Sequence, residues 1–195
     1  TAEGGMVITN NKDLANKIKL QRAFGVNRNY NERKIPGLYD AITLGFNYRM
    51  SELHASIGIE QMKKISFFLE KRFENHREIS KLLDPLDSVT ILPAPNNRLK
   101  SSHYCLCVIL NKSIAKHRAK IMNELTKKGI GSSIYYPHPV PRLSYYKKKY
   151  AFNDRKFINA SRISDCSIAL PVGPHLSKKD MKGIAKQLIS AIKNY

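Results

Sequence analysis

From residue 89 to its end the chain alternates short apolar runs with longer amphipathic ones, and this alternation restricts the folds open to it. Residues 89–92, 103–110 and 130–136 are rich in β-branched and aromatic residues and predict strands. Residues 114–128 place apolar side chains at helical spacing and stop at Gly129, and residues 154–165 and 178–193 predict two further helices. Residues 137–142, Pro-His-Pro-Val-Pro-Arg, read as a stiff extended loop, because proline has no N–H to give a helix or a central strand. Strands interleaved with helices of these lengths predict a small α/β sandwich domain.

The N-terminal third reads differently. Residues 6–9 form a short β-like run, and a helix is expected from Asp13 to Arg22. The stretch from Gly25 to Asp40 is polar and aromatic, with Arg28 and Tyr30 as possible substrate contacts against the plainer reading of a variable surface loop. Residues 44–55, Leu-Gly-Phe-Asn-Tyr-Arg-Met-Ser-Glu-Leu-His-Ala, then bring together a turn glycine, an amide, a guanidinium and a helix start. Gly45 permits backbone geometry that other residues resist. Asn47 and Arg49 are donors suited to oxyanions, and Ser51 is placed to cap a helix. Donors beside a helix N-terminus are one physical solution to gripping a phosphate. The helix is expected to run unbroken to Leu83, with Pro85 ending it.

Composition bears on partners and compartment. The formal net charge is +19 over 195 residues. The lysines are dispersed as pairs, with one triplet at 147–149, which reads as a solvated surface rather than a nucleic-acid stripe. No apolar run approaches the roughly 20 residues of a membrane span, and no signal peptide is read at the start. Cys105 and Cys107 alternate on one face of a strand, a spacing unlike a zinc site, so no metal is expected. Three cysteines of core-like setting point to a reducing compartment and a cytoplasmic protein.

Four segments, in order, resemble the DegT/DnrJ/EryC1/StrS family of sugar-nucleotide aminotransferases. Residues 1–10, Thr-Ala-Glu-Gly-Gly-Met-Val-Ile-Thr-Asn, resemble the segment following the family's cofactor lysine. Residues 45–58 are similar to its dimer-contact motif, residues 129–137 to its small-domain substrate loop, and residues 168–176 to the motif before its last helix. The resemblance implies an α/β protein of the pyridoxal-phosphate-dependent transferase fold type I. Residues 1–70 would be the end of the large domain and residues 71–195 the small C-terminal domain.

The resemblance further implies transfer of an amino group, with glutamate the expected donor, to a keto sugar carried on a nucleoside diphosphate. The cofactor would be pyridoxal 5'-phosphate, and the site would be shared between the subunits of a homodimer, with no nucleic acid or membrane as partner. Asn47 matches the asparagine that reaches the phosphate of the partner subunit's cofactor. Arg49 matches a position near the sugar nucleotide, with a buried structural arginine paired to Glu52 or another acid as the competing reading. Tyr136 and His138 fall in the substrate loop. Many members place a histidine four residues after the motif's proline, where this chain has Pro141, so either His138 substitutes for it or the contact is absent. The Schiff-base lysine is expected before Thr1, so no residue here is assigned the catalytic role and the chain alone is expected to be inactive. Histidine in place of that lysine would mark a sugar dehydratase of the same family. A non-catalytic relative and a basic nucleic-acid-binding module, the latter revealed by salt-sensitive binding, complete the alternatives.

Overall fold

The last helix shows how the sequence builds its core. Helix α8 (Lys178–Lys193) places Met181, Ile184, Ala185, Leu188 and Ile192 on one buried stripe. Its start is fixed by a capping box: Ser177 Oγ accepts from Asp180 N, and the Asp180 carboxylate accepts from Ser177 N. Each large apolar side chain on that stripe contributes about 1.5–3 kcal/mol by leaving water. The computed structural model describes residues 1, 3–27, 35–92 and 99–195, without the side chains of Asp154 and Arg155. Arg28 and Tyr30 lie outside the described residues.

Two compact units divide the chain, Thr1–Lys64 and Ile65–Tyr195. The second unit holds the core. Its sheet has three antiparallel strands in the order β1 (Val89–Ile91), β2 (Leu106–Leu110) and β3 (Ser167–Leu170). Val89 pairs with Leu110, and Leu106 with Leu170. Alternation puts Leu106, Val108 and Leu110 on one face of β2. There they join Ile79 and Leu83 of α3 (Ile65–Leu83), Ile121 and Leu125 of α5 (Arg118–Lys127), and the stripe of α8. Helix α7 (Ile158–Cys166) packs on β2 and β3. The sheet is thus sandwiched by helices.

Several elements depart from expectation for local reasons. Residues 52–83 form two helices, α2 (Glu52–Met62) and α3, because the chain tightens at Lys63 and Lys64, where Lys64 N donates to Gln61 O at 3.0 Å. Strand β2 begins at Leu106, not at residue 103, since His103 has φ +45°, outside the extended region. Residues 130–136 pair only through Ser133 and Ala169; the neighbouring Pro171 has no N–H to extend that ladder. The expected helix over 114–128 is split into α4 (Lys112–Ala115) and α5, because His117 leaves the helical path and stacks on Tyr195. Residues 140–142 form a 3₁₀ turn, which proline tolerates at its first positions, and α6 (Ser144–Tyr150) follows it. The helix expected over 154–165 opens instead with a 3₁₀ turn, Asp154–Phe157, before α7. Residues 6–9 pair with no strand among the described residues.

The first unit is built around α1 (Lys12–Gln21), capped by Asn11 Oδ1 accepting from Leu14 N at 3.0 Å. Val26 is its one buried apolar side chain among the described residues.

Candidate functional site

Segment 44–49 is held by main-chain bonds to the end of α1 and the turn after it. Phe46 N donates to Gln21 O (2.6 Å), Phe24 N to Phe46 O (2.9 Å) and Tyr48 N to Arg22 O (2.9 Å). Ala23 and Asn47 form an antiparallel bridge. This close approach needs glycine on both sides. A Cβ on Gly25 would lie 1.8 Å from Thr43 O, and Gly25 also has φ +66°. Asn47 is therefore set by the backbone of the residues around it, whatever its own side chain does.

The same segment brings Asn47 and Arg49 together. Arg49 Nε donates to Asn47 Oδ1 at 3.1 Å, and the guanidinium sits over the Phe24 ring at 4.9 Å. With its carbonyl oxygen engaged, Asn47 keeps its amide N–H groups as its remaining side-chain donors, and Arg49 its Nη groups. Both side chains are exposed. Ser51 Oγ accepts from His54 N at 3.2 Å, so the capping predicted for α2 is realised. A neutral and a cationic donor side by side next to a helix start can hold an oxyanion. Arg49 is bonded to Asn47 rather than paired with Glu52.

Tyr136 and His138 lie in the second unit, in an exposed loop anchored at both ends. Tyr136 meets Tyr135 edge-on, with ring centres 4.6 Å apart. Downstream, Arg142 donates to both carboxylate oxygens of Asp165 at 2.7 and 2.9 Å. That fork holds the Asp165 carboxyl below its ordinary range, and the charges of Arg118 and His138 act in the same direction. Upstream, Ser133 is bonded to Ala169 in both directions, at 2.8 and 3.2 Å. The loop is thus pinned at Ser133 and at Arg142, leaving Tyr136 and His138 exposed between them.

Beside this loop the second unit has a cleft of about 550 Å³, walled by Arg72, Tyr104, Tyr135, Ser132 and the 169–175 segment. The fully buried Asn75 fixes one wall: its Nδ2 donates to Gly173 O (3.0 Å) and Leu176 O (3.1 Å), with Val172 O at 3.5 Å. Cys105 falls just before β2 rather than on it, yet its sulfur lies beside that of Cys107, 3.7 Å away. Burial, followed by the neighbouring Cys105, pushes the Cys107 thiol up to about 11. It is a protonated, unreactive thiol. Sequence reasoning missed Arg72, Asn75 and Ser132. An asparagine and an arginine in a polar helix carry no periodic or motif signal, and only the tertiary contacts single them out. Among the described residues there is no group of three or more metal-binding side chains, and no helix is long and apolar enough to cross a membrane.

Comparison with known proteins identifies relatives along nearly the whole chain. The sequence model of the DegT/DnrJ/EryC1/StrS aminotransferase family matches residues 1–189. The chain is 30% identical to the UDP-4-amino-4,6-dideoxy-N-acetyl-beta-L-altrosamine transaminase of Campylobacter jejuni (strain 81-176), over 98% of this chain and 49% of that protein. It is also 30% identical to the uncharacterized protein MJ1066 of Methanocaldococcus jannaschii, over 93% of this chain and 47% of that one. The chain spans about half the length of the curated relatives it matches. Among solved structures, Helicobacter pylori PseC, an aminotransferase involved in the biosynthesis of pseudoaminic acid, superposes with a TM-score of 0.82 at 22% identity, covering 96% of this chain and 48% of PseC. The PMP-form of the Streptococcus pneumoniae putative sugar aminotransferase Spr1654 gives a TM-score of 0.84 at 19% identity, over 95% of this chain and 46% of that one. The fold is that of the type I transferases, as the four sequence motifs implied.

Proposed function

The chain belongs to the DegT/DnrJ/EryC1/StrS aminotransferase family, and on that premise we propose that it supplies part of the active site of an enzyme that aminates a nucleotide-linked keto sugar with glutamate as donor. Residues 1–70 are assigned to the end of the large domain and residues 71–195 to the small domain. The observation that carries the reading is the joined pair Asn47–Arg49, two exposed donors held by main-chain bonds in the motif that matches the family.

The pair fits one part of pyridoxal 5'-phosphate. Two adjacent donors beside a helix start suit its phosphate and offer nothing to its ring. When bound, the cofactor supplies the electron sink that lets an amino group be moved. In this reading Asn47 holds the phosphate of the partner subunit's cofactor, and Arg49 orients the anionic nucleotide sugar. Tyr136 and His138 line the sugar's approach from the small-domain loop. No lysine of this chain is assigned to the reaction. The first unit exposes Met6, Ile8, Leu44, Tyr48, Leu53 and Met62, apolar surface that supports a homodimer closing over it. A cytoplasmic location accords with the three free cysteines.

The test is glutamate-dependent amination of a UDP-linked 4-keto sugar. It compares the chain alone with the chain supplied with a polypeptide of the family that carries the reactive lysine. Amination is expected only in combination, with Asn47→Ala weakening cofactor binding about tenfold, the worth of a hydrogen bond to a charged group. Amination by the chain alone would show that the reacting lysine is here after all. No amination in combination, with unchanged cofactor affinity in Asn47→Ala, would sink the proposal.

A further inference from the structure

Among the described residues Arg72 has no counter-charge. It projects from α3 into the wall of the 550 Å³ cleft, which it shares with Ser132, Tyr104 and Pro171. Its Nε is shut off from solvent and has no hydrogen-bond partner among the described residues. Its recorded neighbour is the face of Tyr104, 5.9 Å from the guanidinium carbon to the ring centre. None of the ion pairs among the described residues includes it. Ser132 Oγ, in the same wall, is also buried and without a partner.

Buried donors without acceptors are costly. Two such groups lining one cleft mark a place where a ligand completes the hydrogen bonding. The shape of the donors narrows the ligand. The Nε–H and the neighbouring Nη–H of a guanidinium form a flat fork that matches the two oxygens of a carboxylate. Much of the remaining wall is apolar, with Tyr104, Tyr135, Leu170, Pro171 and Val172. Ser133 and His175 also line the cleft, and a small organic acid, unlike a phosphate, has a carbon chain to lay against its apolar part.

We propose that this cleft is a carboxylate site: a small organic acid seats its carboxylate on the Arg72 Nε edge, accepts from the Ser132 hydroxyl and lies against Tyr104 and Pro171. The identity of that acid, the amino donor or the 2-oxo acid it becomes, rests on the function proposed above; the site itself does not.

The experiment follows the Arg72 Nε–H resonance by ¹⁵N NMR, assigned by its absence in Arg72→Lys, while glutamate, 2-oxoglutarate, inorganic phosphate and UDP are titrated separately into the full chain. A saturable shift with glutamate or 2-oxoglutarate is expected. Binding, followed in the variants through backbone amides of residues 131–133, should weaken at least about tenfold in Arg72→Gln and several-fold in Ser132→Ala, and survive in part in Arg72→Lys. Ser132→Ala removes one oxygen and guards against a fold lost with the arginine. No saturable shift with either acid, an equal or stronger response to phosphate or UDP, or unchanged affinity in Ser132→Ala overturns the proposal. Carboxylate binding without amination in the combined assay would leave this site standing and remove the enzymatic reading. Amination without carboxylate binding would do the reverse.

Discussion

Gly25 and Gly45 meet backbone to backbone, so closely that a Cβ on Gly45 would lie 2.0 Å from Gly25 N. This contact places the segment bearing Asn47 and Arg49. Gly45→Ala must push the two strands of chain apart and break the bonds from Phe24 N to Phe46 O and from Tyr48 N to Arg22 O. We expect a local loss of about 2–4 kcal/mol. Hydrogen exchange reads it directly: the amides of Phe24 and Tyr48 lose protection while those of β2 keep theirs. Unchanged protection at both amides would show that the clasp is not what holds the segment.

Asn75 should be the most sensitive polar position in the second unit. Removing its amide in Asn75→Ala leaves the Leu176 carbonyl without its donor and the Gly173 carbonyl with Leu176 N alone, at a cost of about 1–3 kcal/mol. Asn75→Asp should cost more, because it points acceptors at acceptors in a fully buried place. Urea unfolding of the three proteins orders them wild type, Ala, Asp. An aspartate variant as stable as wild type would refute the assignment.

Leu188 is fully buried on the stripe of α8. Leu188→Ala is expected to lower stability by about 2–5 kcal/mol through lost transfer energy and the cavity left behind. Lys186→Ala, on the exposed side of the same helix, should stay within about 0.5 kcal/mol of wild type. Equal effects at the two positions would contradict the placement of the core.

His76 and His103 meet at a tilt of 51° with ring centres 4.3 Å apart, and burial holds both below the ordinary histidine value of 6.5; for His76 the charge of His103 adds to it. A histidine depressed in the folded state binds its proton more readily when unfolded. Stability is therefore full above pH 6.5 and falls as the pH drops from 6.5 through the lower folded values. Denaturant midpoints measured between pH 8 and pH 5 should decline over that window and flatten in His76→Asn. A midpoint that rises on acidification would reverse the sign and discard the account.

The sequence carried the type of most elements and the family, because amphipathic periods and motif order are local properties. The start of α8, the Ser51 cap and the side-by-side sulfurs of Cys105 and Cys107 all follow from short-range rules. What it did not carry depends on distant partners or on a single dihedral. His103 turns its backbone to φ +45° inside an otherwise strand-like run, and residues 130–136 meet a proline where a fuller ladder would need an N–H. The donor pair was half legible: both residues stood out as donors, but their mutual bond and the Phe24 platform beneath Arg49 needed the fold. Arg72 was invisible, and Ser132, though inside the substrate-loop motif of residues 129–137, was not singled out, since an unpartnered group is defined by what surrounds it.

Asn75 grips the 172–176 segment through carbonyl oxygens alone. Main-chain oxygens are common to every residue, so cleft-lining side chains such as His175 can be exchanged without touching that grip, while Val172 stays bound into the core. Anchorage and lining are in this sense separately heritable. A lineage could re-line this side of the cleft for a different ligand while a single buried amide keeps the wall in place.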